Sequence, residues 1–126
     1  MEKKYNILVA DDDRCTVKIV SMILQNAGYE VTEDPAAEMN FLSTGVNPDL
    51  ILLDNQLSGK EGSSLCRDLK QNEKTKNISI ILVSGIDELK SLTKQVCADD
   101  FLNKPFSITS LLKKIESLLL KKPVPG

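Results

Sequence analysis

Acidic, hydroxyl and amine side chains stand directly after four of the short apolar runs in this sequence. In chain order they are Asp11, Asp12, Asp13, Asp54, Ser84 and Lys104. Carboxylates brought together repel one another, because two unit charges about 4 Å apart cost about 4 kcal/mol at an effective dielectric of roughly 20. Such a cluster needs a cation or shifted pKa values. Oxygen ligands with room for water suit Mg²⁺.

Together with a bound Mg²⁺, these side chains would form a centre for phosphoryl transfer. A carboxylate can act as a nucleophile and form an acyl phosphate. A metal ion and a lysine would balance the charge on the transferring group. The sequence contains no histidine, which excludes Ser-His-Asp triads, Cys-His pairs and histidine-ligated zinc sites. A reactive centre must therefore use carboxylates, hydroxyls, amines or thiols.

These side chains meet only if the fold brings the ends of the apolar runs to one edge. Strand-like runs alternate with helical patterns along the chain. The predicted strands are Tyr5–Ala10, Tyr29–Thr32, Asp49–Leu53, Ile78–Val83 and Asp100–Asn103. The predicted helices are Arg14–Ala27, Pro35–Thr44 with Asp34 as its cap, Ser63–Gln71, Asp87–Val96 and Ile108–Leu120.

Five strands alternating with five helices predict an α/β fold with a parallel sheet covered on both faces. Right-handed crossovers favour a doubly wound sheet. Ligands of such sheets bind beyond the carboxyl ends of the strands, so the reactive side chains are expected on one rim. The apolar stripe of the first helix is predicted to be Ile19, Val20, Ile23, Leu24 and Ala27. That of the last helix is Ile108, Leu111, Leu112, Ile115, Leu118 and Leu119.

Composition indicates one domain, with 126 residues, 41% of them hydrophobic and 27% charged. The net charge of −2 argues against a sequence-wide nucleic-acid footprint. No apolar run reaches the ~18 residues of a membrane span, and Met1–Asn6 lacks the apolar region of a signal peptide. Cys15, Cys66 and Cys97 form no C-x-x-C pair. We therefore expect free cysteines that pack in the core rather than a disulfide framework. Free cysteines are typical of a reducing cytoplasm.

Four motifs resemble those of receiver domains of two-component response regulators, including the stand-alone chemotaxis type. They are Ile7-Leu8-Val9-Ala10-Asp11-Asp12-Asp13, Asp49-Leu50-Ile51-Leu52-Leu53-Asp54, Ile81-Leu82-Val83-Ser84-Gly85 and Phe101-Leu102-Asn103-Lys104-Pro105-Phe106. The resemblance spans Tyr5 to Leu120. It implies a flavodoxin-like, doubly wound five-stranded parallel sheet of strand order 2-1-3-4-5 with five helices. Residues 1–122 would form the receiver domain, and residues 123–126 a flexible tail or the stub of a linker.

The resemblance implies a metal site built from four positions. Asp11 and Asp12 resemble the acidic pair that holds Mg²⁺ directly or through water. Asp54 resembles the phosphoacceptor, which is also a metal ligand. Gln56 stands where the family places a backbone carbonyl on the metal.

Three further positions resemble the residues that respond to phosphorylation. Ser84 resembles the switch hydroxyl that moves to the phosphoryl group, and Lys104 resembles the lysine that pairs with it. The Lys104-Pro105 peptide bond is usually cis in the family. Phe101 occupies the family's aromatic switch position.

The implied function is a phosphoacceptor switch. A sensor histidine kinase or a histidine phosphotransfer protein would donate a phosphoryl group to Asp54, and a downstream effector protein or domain would receive the signal. Beyond self-catalysed phosphotransfer and slow autodephosphorylation, no enzyme activity is expected. Neither nucleic acid nor a membrane is expected as a direct partner, and the expected location is cytoplasmic.

The loop after Asp54 departs from the family pattern, because Leu57-Ser58 stands where many receivers have Met-Pro. We expect that loop to be less rigid. One alternative is a receiver-like interaction module that is not controlled by phosphorylation. An aspartyl-phosphate phosphatase of the Asp-x-Asp type is disfavoured because Gln56 occupies the second acidic place. A flavodoxin-like electron carrier is disfavoured because acids replace the phosphate loop and aromatic residues make up 4% of the chain.

Overall fold

The computed structural model describes residues 4–34, 45, 47–57, 60–85 and 98–120. Five parallel strands form one sheet: β1 (Asn6–Ala10), β2 (Glu30–Glu33), β3 (Leu50–Asp54), β6 (Ser79–Gly85) and β7 (Asp100–Lys104). Two short antiparallel strands, β4 (Gln56–Leu57) and β5 (Lys60–Glu61), form a hairpin after β3. The described helices are α1 (Arg14–Asn26), α2 (Gly62–Gln71) and α3 (Ile108–Leu119).

The sheet order is β2-β1-β3-β6-β7. Counting the five parallel strands alone, this is 2-1-3-4-5, which confirms the predicted doubly wound, flavodoxin-like sheet. The strand order reverses between β1 and β3, so the carboxyl ends of these neighbours flank the crevice where such sheets bind ligands. Of the five predicted helices, those at Pro35–Thr44 and Asp87–Val96 lie outside the described residues.

The core has two parts because successive side chains of a strand point to opposite faces of the sheet. From β1, Ile7 and Val9 enter the cluster that also contains buried side chains of α1 and α3. Leu8 and Ala10 enter the cluster on the opposite face, with Cys66 of α2. All five residues of β3 are buried, as expected for the central strand of a covered parallel sheet.

The predicted apolar stripe of the first helix is partly wrong. Ile19 is 59% exposed, and the buried residues of α1 are Val17, Val20, Ser21 and Leu24. Consecutive helical residues stand about 100° apart, so Ile19 lies nearly opposite Val17 once Val17 and Val20 face the sheet. Ser21 is tolerated in the buried face because its hydroxyl donates to Glu33 Oε2 at 2.9 Å.

Two further burial predictions need correction. Ile108, the first residue of α3, is 55% exposed, and the buried face of the helix begins at Leu111. Cys15 is exposed, because the second residue of α1 lies on the outer side of the helix, whereas Cys66 is buried as predicted. Cys97 lies outside the described residues. Across the part of the chain that the structure describes, no helix has the length and apolar character needed to cross a bilayer.

Candidate functional site

The turn after β1 places two carboxylates on the rim of the sheet and uses a third to begin α1. Asp11 and Asp12 directly follow the strand. Asp13 is the N-cap of α1, and its side chain accepts from Cys15 N at 3.1 Å and from Thr16 Oγ1 at 2.9 Å. The hydrogen bonds from Thr16 lower the pKa of Asp13. Asp13 therefore caps the helix, and the carboxylates that lie together are those of Asp11, Asp12 and Asp54.

Asp54 ends β3 beside the turn that carries Asp11. Ala10, the last residue of β1, pairs with Leu53 of β3. Asp11 and Asp54, which follow these two residues, therefore lie side by side at the carboxyl ends of neighbouring strands. One carboxylate oxygen from each of Asp11, Asp12 and Asp54 lies within 4.8 Å of the others. Asp11 and Asp54 are each 6% exposed, whereas Asp12 is exposed. The cluster therefore opens to solvent through Asp12.

Lys104 reaches this cluster from the end of β7, on the far side of β6. Its Nζ lies 3.0 Å from Asp54 Oδ2 and 3.6 Å from Asp11 Oδ2. The Lys104 side chain is 37% exposed. The peptide bond between Lys104 and Pro105 is cis. The lysine thus contacts both buried carboxylates.

The electrostatics of the cluster indicate an excess of negative charge. Burial raises the pKa of Asp11, and the neighbouring charge of Asp54 raises it further. Burial alone would lower the pKa of Lys104, but the hydrogen bond and charge of Asp54, with the charge of Asp11, raise it above its ordinary value. Lys104 therefore stays protonated, and its single positive charge faces three carboxylates.

The chemistry of these donors fits Mg²⁺. Mg²⁺ in proteins binds hard oxygen ligands and retains several of its waters, so it suits a carboxylate site that is open to solvent on one side. The raised pKa of Asp11 reflects a buried negative charge that a cation would stabilise. The residues present therefore suit a magnesium ion at Asp11, Asp12 and Asp54.

The remaining predicted positions lie on strands around the carboxylates. Gln56 is the first residue of β4, two residues after Asp54. Ser84 is 2% exposed, and its hydroxyl donates to the carbonyl oxygen of Gly85 at 3.2 Å rather than to Asp54. Phe101 pairs with Leu82 in the sheet and packs, half-buried, against the cluster that contains Cys66. The structure thus brings Asp11, Asp12, Asp54 and Lys104 into contact, with Ser84 on the adjoining strand.

Asn55 was missed by the sequence analysis. Its Oδ1 accepts a hydrogen bond from Ser63 N, the second residue of α2, at 3.1 Å. The sequence offers no signal for this contact, because Asn55 stands eight residues before Ser63 and outside the helical pattern of α2.

The chain is similar to known proteins over most of its length. The family model described as "Response regulator receiver domain" matches residues 7–116. The phosphate regulon transcriptional regulatory protein PhoB of Pseudomonas aeruginosa is 35% identical over 123 residues, which cover 95% of this chain and 53% of PhoB. The chain spans about half the length of the curated relatives it matches.

Solved structures share the fold over nearly the whole chain. The signal receiver domain of a signal transduction histidine kinase from Syntrophus aciditrophicus has a TM-score of 0.85 at 27% identity, covering 97% of this chain and 95% of that one. The response regulator TrrA from Thermotoga maritima, solved in complex with Mg²⁺-BeF, has a TM-score of 0.79 at 28% identity. That comparison covers 91% of this chain and 99% of TrrA.

Proposed function

The chain belongs to the family of response regulator receiver domains, and we propose from this that it is a phosphoacceptor switch in which Asp54 accepts a phosphoryl group in a Mg²⁺-dependent reaction. One observation carries the proposal. Asp54 is buried, stands in a cluster of three carboxylates whose oxygens lie within 4.8 Å of one another, and bonds to Lys104 at 3.0 Å. These are the parts that phosphoryl transfer to a carboxylate requires.

In the proposed reaction Asp54 is the nucleophile. A carboxylate oxygen of Asp54 attacks the phosphorus of a phosphohistidine on the donor protein, the new O–P bond forms as the P–N bond breaks, and the imidazole leaves and takes up a proton. Lys104 holds the Asp54 carboxylate in place before the attack and stays close enough to balance charge on the transferred group.

Asp11, Asp12, Asp54 and the backbone carbonyl of Gln56 would hold the Mg²⁺. When bound, the ion supplies positive charge for the oxygens of the transferring group. The role of Asp11 and Asp12 is to hold that charge on the rim of the sheet. The chain acts on its own Asp54 and slowly loses the phosphoryl group, and it turns over no separate substrate.

Phosphorylation is proposed to act through Ser84 and Phe101. Ser84 lies on the strand beside Asp54, and its hydrogen bond to the Gly85 carbonyl is long at 3.2 Å. Moving its hydroxyl to the phosphoryl oxygens therefore costs little. The space that Ser84 leaves is available to Phe101, which carries no hydroxyl and loses no hydrogen bond on moving inward.

The proposed donor is a sensor histidine kinase or a histidine phosphotransfer protein, and the proposed recipient is an effector protein or effector domain. PhoB is a transcriptional regulator, so a DNA-binding effector is one such recipient. The receiver itself is proposed to contact no nucleic acid and no membrane. We place the switch in the cytoplasm.

The proposal is tested by the dependence of phosphorylation on metal. Purified protein is incubated with acetyl phosphate in Mg²⁺ or in EDTA, and intact mass is measured. We expect one phosphoryl adduct with Mg²⁺, none with EDTA, and strong loss in Asp12→Ala. Asp68→Asn, on the exposed side of α2, is the matched control and should behave as wild type. An adduct of equal yield in EDTA would overturn the metal-dependent mechanism.

A further inference from the structure

Asn55, which follows the proposed phosphoacceptor, is tied to three separate parts of the fold. Its N–H donates to the Val83 carbonyl of β6 at 2.9 Å. Its carbonyl accepts from Gly62 N at 2.8 Å, and its side-chain Oδ1 accepts from Ser63 N at 3.1 Å. A single residue thus joins the central sheet, the base of the β4–β5 hairpin and the first turn of α2.

The side chain of Asn55 caps the N-terminus of α2 from outside the helix. The first N–H groups of a helix have no partner within it and need acceptors from outside. α1 and α3 obtain theirs from the preceding residues Asp13 and Ser107. α2 instead uses an oxygen eight residues before Ser63 in the chain. Its N-terminus is therefore fixed to the residue next to Asp54.

Gly62 brings the chain against the backbone of the acceptor itself. A Cβ atom at this position would overlap the Asp54 carbonyl oxygen and stand 2.8 Å from Asn55 Cα. The close approach lets Gly62 N reach the Asn55 carbonyl. Asn55 and Gly62 directly flank the β4–β5 hairpin, which contains Gln56, and their hydrogen bond closes its base.

We propose that Asn55 is a positioning residue of the phosphoacceptor centre. Its hydrogen bonds to Gly62 and Ser63, here called the Asn55 clamp, fix the backbone that leads from Asp54 to Gln56. The inference rests on the proposed function, in which the Gln56 carbonyl is a ligand of Mg²⁺.

The test compares Asn55 with Asn72, an asparagine just beyond the other end of α2. Asn55→Ala removes the clamp oxygen, and Asn72→Ala removes an oxygen that accepts from Lys74 N at 2.9 Å, away from the carboxylates. NMR measures hydrogen exchange of the Ser63 amide and Mg²⁺ affinity from the shift of the Gln56 amide. In Asn55→Ala we expect Ser63 exchange about tenfold faster and Mg²⁺ binding about tenfold weaker, as for groups that orient metal ligands.

Asn72→Ala should change neither quantity, and Asn55→Asp, which keeps an acceptor oxygen in place, should restore the protection of Ser63. Unchanged Mg²⁺ affinity in Asn55→Ala alongside lost Ser63 protection overturns the positioning role. Equal loss of affinity in both alanine variants overturns it too, because that result indicates general destabilisation. Absence of Mg²⁺ binding in the wild type overturns the proposed function together with this inference, and so is distinguishable from failure of the inference alone.

Discussion

Lys104 Nζ and Asp54 Oδ2 lie 3.0 Å apart although their residues are 50 positions apart in the chain and their strands are separated by β6. The contact exists because both residues end parallel strands of one sheet, whose carboxyl ends lie on the same rim. In the proposed function this contact gives the lysine two roles. It competes with a bound cation for the buried Asp54 carboxylate, and it balances charge on the transferring group.

Removal of the Lys104 charge is expected to separate these roles. Lys104→Met should bind Mg²⁺ about two- to fivefold more tightly, the range expected from a partly exposed ion pair. The same variant should accept phosphate from acetyl phosphate about tenfold or more slowly, because it loses a charge that stabilises the transferring group. Isothermal titration and the rate of adduct formation measure the two effects.

Lys114→Met is the matched control for this change, since Lys114 pairs with Asp100 at 3.1 Å and is 35% exposed. It should leave Mg²⁺ affinity and phosphorylation unchanged. Weaker Mg²⁺ binding in Lys104→Met would contradict the assigned competition between lysine and cation.

Asp11→Asn is expected to stabilise the metal-free protein and to abolish its response to Mg²⁺. The amide keeps an oxygen for the hydrogen bond from Asp13 N, which is 2.9 Å long, and removes a buried charge beside Asp54. The gain at neutral pH should be about 1 kcal/mol, because the repulsion from Asp54 that is removed is largely offset by the lost attraction to Lys104 Nζ, 3.6 Å away. A tenfold excess of Mg²⁺ over its Kd should stabilise the wild type by about 1.4 kcal/mol and the variant hardly at all.

The pH dependence of this difference follows from the raised pKa of Asp11. Between the ordinary and the raised pKa, the folded state binds more protons than the unfolded state, so the free energy of unfolding falls as pH rises. Below the ordinary carboxyl pKa the penalty is absent. Chemical denaturation of metal-free wild type and Asp11→Asn across this range should give curves that diverge as pH increases. Curves that converge with rising pH would show that the Asp11 charge is stabilising.

A change at Asp54 is expected to reach β7 and α3 through Ser84 and Phe101. Beryllofluoride, which mimics the phosphoryl group, should shift amide NMR signals of residues 100–104 and of the first turns of α3 as well as those next to Asp54. Phe101→Ala should retain the shifts near Asp54 and reduce those in α3. Shifts confined to Asp54 and the β4–β5 hairpin in the wild type would contradict a transmitted switch.

The sheet and the carboxylate cluster were predictable because each depends on a local pattern. Strand runs such as Leu50–Leu53 are apolar on both faces, and their alternation with helices predicts a parallel sheet, whereas the strand order was implied by the resemblance to receiver domains. Asp11, Asp54 and Lys104 then meet because each follows a strand end. The exposure of Ile19 was not predictable, since it depends on which stripe of α1 meets the sheet. The Asn55 clamp joins α2 to a residue outside the helix, so it could not be predicted from the hydrophobic periodicity of α2.

The central claim is that Asp54 receives the phosphoryl group, and intact-mass analysis with mapping of the modified residue tests it most directly. Wild type treated with acetyl phosphate and Mg²⁺ should gain one phosphoryl group, and hydroxylamine should remove it and mark residue 54 in the digested peptide, because acyl phosphates react with this nucleophile. Asp54→Asn, folded by circular dichroism, should gain none, whereas Asp68→Asn should gain one. A phosphoryl adduct on Asp54→Asn, or none on the wild type with Mg²⁺ present, would contradict the account.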